Sequence, residues 1–199
     1  MKKTIIAIIL VIMMSAMVSA EKGVATLQMS TDQPFQQTVN DPGFFASLGN
    51  YLMGIDDNDA LKVYEIGLSI HPRSSDIMNN LGVYYTTKED YDKAIEYYQM
   101  ALAENPDYTI AMSNLAIVYH KTEQYDEAIE QLRELVNAEP NNPSYNYDLA
   151  INIATNIRYN YVGDIDESIA YFEAAENLES DYVRATENIE VLHAVKALS

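Results

Sequence analysis

The residues able to do chemistry are scattered. The 199-residue chain has no cysteine and only three histidines, so it has no thiol nucleophile and few nitrogen ligands. His71, His120 and His193 fall on different elements, with none of the close spacing that lets two imidazoles share a metal. The run Asp56–Asp59 ("DDND") is rich in carboxylates but lacks the glycine and distal glutamate of a twelve-residue calcium loop, so it reads as a helix-capping turn. With 30 acidic residues, close carboxylate pairs arise by chance, and no acid–base dyad stands out. The glycines are dispersed rather than gathered into a phosphate cradle. These absences lead us to expect no catalysis, no cofactor and no metal, and they move attention to surfaces.

The elements that would carry such a surface show themselves as a repeat. "NNLGVYYTTKEDYDKAIEYYQMALAENP", residues 79–106, and "SNLAIVYHKTEQYDEAIEQLRELVNAEP", residues 113–140, agree at ten of 28 positions when shifted by 34. That period is the length of a helix–turn–helix unit. Within the first segment, Met78, Leu81, Gly82 and Tyr85 lie on one helical face. Tyr91, Ala94, Ile95, Tyr98, Ala101 and Leu102 lie on another. Between them "TTKED" is polar, Asp90 is the expected N-cap of the second helix, and Pro106 ends it.

These residues resemble the tetratricopeptide repeat family. Its pattern is met by Met78, Leu81, Gly82, Tyr85, Ala94, Tyr98, Ala101 and Pro106, with methionine for the usual tryptophan and Tyr98 for phenylalanine. The next copy supplies Met112, Leu115, Ala116, Tyr119, Ala128, Leu132, Leu135 and Pro140. Its Leu135 stands where a small residue is usual and implies local repacking. A looser copy upstream has Phe45, Leu48, Gly49, Leu52, Ala60, Tyr64, Gly67 and Pro72, is one residue short between its helices, and opens with Asp41-Pro42 as cap and first-turn proline. A fourth copy starts at Pro143 with Leu149, Ala150 and Ile153. It resumes six residues late, at Ser168, Phe172 and Ala175, with Asp164 and Glu167 at capping-box spacing. Val183, Ile189 and Leu192 mark a last amphipathic helix, expected as a terminal cap.

The resemblance implies an all-α fold, a right-handed solenoid of about four hairpins and a capping helix. The units span about 42–74, 75–108, 109–142 and 143–182, with the cap at 183–198. A single hairpin cannot bury its apolar side, so copies must stack. Small slots (Gly82, Ala94, Ala101, Ala116, Ala128) let helices approach, and large ones opposite fill the gap. Tyr85, Tyr98 and Tyr119 are read as core residues whose hydroxyls can still reach water.

The family also implies a groove lined by the first helix of each unit. Helical geometry places Ala46, Asn50 and Met53, then Asn79, Val83 and Thr86, on the non-core face. Ser113, Ile117, His120 and Lys121 follow, and then Tyr147, Ile151 and Ala154. Val83, Ile117 and Ile151 recur every 34 residues, an apolar ladder flanked by amides and hydroxyls. Two readings stay open: a peptide-binding groove, or packing against the neighbouring first helix. One branch of the family grips C-terminal carboxylates with basic residues; with Lys121 the only base at these positions, that clamp is not expected. In the insert from Asn156 to Asp166, Arg158, Tyr159 and Tyr161 could form a lip beside the groove or extend a helix that merely packs.

The first twenty residues have a basic start (Lys2, Lys3), an apolar run from Ile5 to Met14 and small residues before Glu21. That layout is a signal peptide cut after Ala20, so the protein is expected outside the cytoplasm, periplasmic or extracellular, with an uncleaved membrane anchor as the alternative. Residues 21–41 are polar and read as a flexible lead-in. All 30 acidic residues follow Ala20, along with every basic residue except Lys2 and Lys3, which argues against nucleic acid as a partner. The expected activity is that of an exported interaction module holding a segment of another protein. A self-assembling envelope component is the alternative, and a small-ligand receptor or enzyme is a third, more distant one.

Overall fold

The computed structural model describes residues 40–160, 164–179 and 183–198. The expectations placed on residues 1–39, on the side chains of Arg158, Tyr159 and Val183, and on Tyr161 lie outside the described residues. Those residues form nine helices and no strand. In chain order these are α1 (Pro42–Leu52), α2 (Asp57–Ile70), α3 (Ser75–Thr87), α4 (Tyr91–Glu104) and α5 (Thr109–Lys121). They continue with α6 (Tyr125–Ala138), α7 (Pro143–Asn160), α8 (Ile165–Leu178) and α9 (Val183–Leu198). Consecutive helices pack on one another throughout, and the first helices α1, α3 and α5 also touch directly. The fold is an α-solenoid of stacked hairpins.

Each second helix starts three residues before its small slot: Asp57 before Ala60, Tyr91 before Ala94, Tyr125 before Ala128 and Ile165 before Ser168. The caps explain most of these starts. Asp56 accepts a hydrogen bond from the Asp59 amide (3.1 Å), Asp90 from Lys93 (3.4 Å) and Asp164 from Asp166 (2.8 Å), each satisfying an amide that the helix leaves unpaired. Asp41 does the same for Gly43 (2.9 Å) with Pro42 in the first turn of α1. The "DDND" carboxylates are all engaged in this way: Asp57 accepts from the Gly54 amide (2.8 Å) and Asp59 pairs with Lys62 (2.9 Å). Glu167, at capping-box spacing, pairs instead with Arg133 of the preceding hairpin at 2.7 Å.

The turn inside each of the first three hairpins contains one left-handed residue. At Glu89 (φ 59°) and Glu123 (φ 61°) the chain reverses, and the next amide donates back to the helix end, Asp90 to the Tyr85 carbonyl and Gln124 to that of Tyr119. The first hairpin is one residue short there. It compensates by ending α1 early and turning through Gly54 at φ 78°, where a glycine carries no Cβ to clash. At the other end of the stack, part of the insert is absorbed by α7, which runs to Asn160 and is the longest helix among the described residues.

The helices of a hairpin meet at a seam of small against large. A Cβ on Gly49 would sit 2.1 Å from the Tyr64 ring, and one on Gly82 would sit 2.5 Å from that of Tyr98. In the third hairpin Ala116 packs with Leu132, and in the fourth Ala150 packs with Phe172. Each seam thus sets a glycine or alanine against a large side chain. Leu135 is fully buried in a cluster with Val136, Leu149 and Ile153. At the equivalent Gly67 the space is filled instead by Phe45 and Ile77 from elsewhere. The large residue at 135 thus supplies from the second helix what its neighbours supply in the first hairpin.

Three core tyrosines, Tyr64, Tyr98 and Tyr119, have a hydrogen-bond partner at the hydroxyl. Tyr64 donates to Asn50 (2.6 Å), Tyr98 lies 3.2 Å from the Thr86 hydroxyl, and Tyr119 accepts from Gln99 (2.9 Å). Burial pushes both Tyr64 and Tyr98 up to about 12. Tyr85 is half-buried and stacks on Tyr97, rings parallel at 5.4 Å, with the Lys93 ammonium 4.9 Å from its ring centre.

The seam yields a direct test. Gly82→Ala should cost about 1–3 kcal/mol in urea unfolding, because the added methyl strikes the Tyr98 ring. Adding Tyr98→Leu, which recreates the Ala116–Leu132 pair of the next hairpin, should recover a large part of that loss. A double variant no more stable than Gly82→Ala alone would disprove the complementarity.

Candidate functional site

The residues expected along the non-core side of the first helices divide into two sets. One set is taken up by the fold. Ala46 and Asn79 are buried, at 8% and 4% exposure, because α1, α3 and α5 lie directly against each other. Asn79 accepts from the Asn114 amide at 3.0 Å, a bridge from α3 to α5 that takes it out of the candidate groove. Thr86 donates to the Gly82 carbonyl (2.9 Å), and Val83 packs on the cluster around Tyr98 and Leu115. Asn50 is exposed, with its amide oxygen held by Tyr64. Tyr147 stands edge-on to Phe172 at 5.4 Å and packs, with Ala154, toward Ala185 of α9. The apolar ladder is therefore uneven: Val83 and Ile151 are half-buried, while Ile117 is 47% exposed.

The other set converges. Direct contact between first helices thins along the stack, and between α5 and α7 a cleft of about 160 Å³ opens. Ser113, Ile117, His120 and Lys121 of α5 line one wall, and Ile151 the other. Ala116 and Leu132 contribute to the lining as well. Two further wall residues, Asp148 and Asn152, were not expected. They lie one turn apart on α7 and flank Ile151, a spacing visible in the sequence. Asp148 was overlooked because an aspartate in an acidic chain reads as a solvated charge.

The polar groups of the cleft have defined roles. Asn152 donates its amide hydrogen to the Asp148 carbonyl one turn back (2.8 Å), so its amide oxygen faces His120 Nδ1 at 2.9 Å. His120 then presents Nδ1–H to that oxygen and is held edge-on to Tyr125 of α6 at 5.5 Å. Lys121 is drawn the other way, its ammonium 6.0 Å from the Tyr91 ring centre on α4. Burial raises the Asp148 carboxyl above its ordinary 3.8, an effect that His120 partly opposes. Among the described residues no lysine or arginine pairs with Asp148.

A wider depression of about 450 Å³ lies over the α6–α7 turn, lined by Glu139 to Pro143. It belongs to a single connection, so no second wall converges on it. No group of three or more histidine or acidic side chains able to hold a metal occurs among the described residues.

Two family models, each described as tetratricopeptide repeat, match residues 58–109 and 85–150. The chain is a tetratricopeptide repeat protein. Solved structures of the same fold are similar over most of its length. The crystal structure of YrrB, described as a tetratricopeptide repeat protein with an unusual peptide-binding site, is 20% identical. That match covers 83% of this chain and 82% of YrrB with a TM-score of 0.70. MamA from Desulfovibrio magneticus RS-1, from residue 41 to its end, is 15% identical over 78% of this chain and 85% of its own, TM-score 0.68. MamA AMB-1 is 20% identical over 78% and 82%, TM-score 0.66. Among curated protein sequences none matches. For this tetratricopeptide repeat chain, the neighbours establish the solenoid, and the cleft between α5 and α7 is a feature of its own side chains.

An ionised Asp148 costs the folded state more than the unfolded chain, because its folded pKa is raised. Stability from this group is therefore highest in acid and falls as pH rises from the unfolded value through the raised folded one. The titratable groups that line the cleft with it, His120 and Lys121, both come from α5, and α6 presents Leu132. Asp148→Asn should raise stability at pH 7 by about 1 kcal/mol, a melting shift of roughly 2–4 °C. The gain should shrink toward zero below about pH 3. A loss of stability at pH 7 would contradict the assignment.

Proposed function

We propose that this protein is an exported, non-catalytic interaction module that holds an extended segment of a partner protein against the face built by its first helices. The observation that carries the reading is the α5–α7 cleft. There, polar groups and exposed apolar surface converge between two helices. Its volume is below the ~300–1,000 Å³ of pockets that enclose a small molecule, and suits a side chain projecting from a segment lying across it. Ile117 offers apolar surface at the rim, while Ser113 and Asn152 offer polar groups beside it. Export rests on the signal-peptide layout of residues 1–20, and the absence of catalysis on the scattered reactive residues.

A second reading has an observation of its own. On α9, Val191, Val195 and Leu198 are 61%, 46% and 90% exposed and share one helical stripe, a surface through which copies could join end to end.

One experiment separates them. A photoreactive phenylalanine analogue is placed at Ile117, at Val195 or, as a control on the opposite helix layer, at Glu134, and crosslinked in intact cells. The groove reading predicts a discrete adduct with another protein from position 117 and none from 134. Equal adducts from both positions, or none from 117, would overturn it. A dimer of this chain formed only from 195 would favour self-assembly.

A further inference from the structure

Resting on the groove reading, we propose that the α5–α7 cleft is a socket for one cationic side chain, a lysine or arginine of the partner segment, with the Asp148 carboxylate as its counter-ion. The shape and chemistry of the cleft select that occupant. Ile117, Ile151, Ala116 and Leu132 give the cleft its apolar lining, and Asp148 brings an acidic residue to the α7 wall beside Ile151. A lysine or arginine has the matching form, an aliphatic stem that packs on apolar surface and a cationic head that seeks an anion. A carboxylate half-withdrawn from water, in no ion pair with a lysine or arginine among the described residues, carries a desolvation cost that an incoming cation would offset.

Two bases line the cleft as well, and each is turned to another partner. His120 is engaged with Asn152 and Tyr125, and Lys121 is drawn over Tyr91 toward the preceding hairpin, while Asp148 enters from the following one. The other described basic side chains with a carboxylate partner are used elsewhere. Arg73 pairs with Glu104, Lys88 with Asp57 and Arg133 with Glu167, each tying one hairpin to the next. The net charge of −18 favours the approach of a basic segment and disfavours an acidic one. Arginine brings five N–H donors in a planar fork and lysine three on a rotatable ammonium, so either head can donate to the carboxylate.

The test is a titration of the 15N-labelled protein followed by amide chemical shifts, with four capped tripeptides as probes: Ala-Lys-Ala, Ala-Arg-Ala, Ala-norleucine-Ala and Ala-Glu-Ala. Norleucine keeps the stem of lysine without its charge. The lysine and arginine peptides should shift the amides of Ile117, Lys121, Asp148 and Ile151, with at least about tenfold tighter binding than norleucine. Asp148→Asn, expected to fold at least as stably, should erase that preference. The proposal is overturned by equal binding of norleucine, by a preference for the glutamate peptide, by a preference that survives Asp148→Asn, or by no shifts at these residues. Crosslinking from Ile117 reads the groove independently. A persistent adduct without cation preference overturns the socket and leaves the groove, whereas no adduct overturns the groove itself.

Discussion

The structure depends on how closely two helices of one hairpin can approach. At Gly49 and Gly82 there is no room for a single methyl group against Tyr64 and Tyr98. Ala116 and Ala150 mark the same seam against Leu132 and Phe172. Without a cysteine in the chain, no disulfide can hold the stack, and stability must come from these contacts. The ion pairs that link successive hairpins are exposed, and pairs of that kind are worth little individually. They fix the register between hairpins more than they hold it.

The closeness of the seams has a consequence for polar groups. Large rings pressed against backbone need somewhere to put a hydroxyl, and the tyrosines meet this by reaching side chains on a neighbouring helix, as Tyr64 does with Asn50 of its own hairpin and Tyr119 with Gln99 of the preceding one. Ser168 solves the same problem in a fully buried slot by donating to the Ala150 carbonyl at 2.9 Å. Among the described residues every buried side-chain nitrogen and oxygen has a partner. Asp148 stands apart from this economy because its carboxylate is partly open to the cleft, at the point where direct contact between first helices has thinned. A site that costs the fold stability is where function is most often found.

The fold was legible because its signal is periodic. Ten identities at a spacing of 34, caps such as Asp90 and stops such as Pro106 each report local physics that tertiary contacts then reinforce. The site was legible only in part. Ser113, Ile117, His120, Lys121 and Ile151 do meet in one cleft, but helical geometry alone could not say that Asn79 would be spent on Asn114 or that Tyr147 would turn toward α9. Those outcomes depend on the distance between neighbouring first helices, which changes along the stack and leaves no periodic trace. Asp148 and Asn152 were hidden for a different reason: what distinguishes them is burial, which a residue type does not reveal.

If the seams make each hairpin the cooperative unit, opening should follow hairpins rather than layers. Native-state hydrogen exchange, resolved to single amides across a denaturant series, measures this directly. The account predicts that α3 and α4 share one opening free energy and α5 and α6 another, with protection falling toward α9, which among the described residues packs chiefly on α8. A pattern in which α1, α3 and α5 open together, separately from α2, α4 and α6, would contradict it.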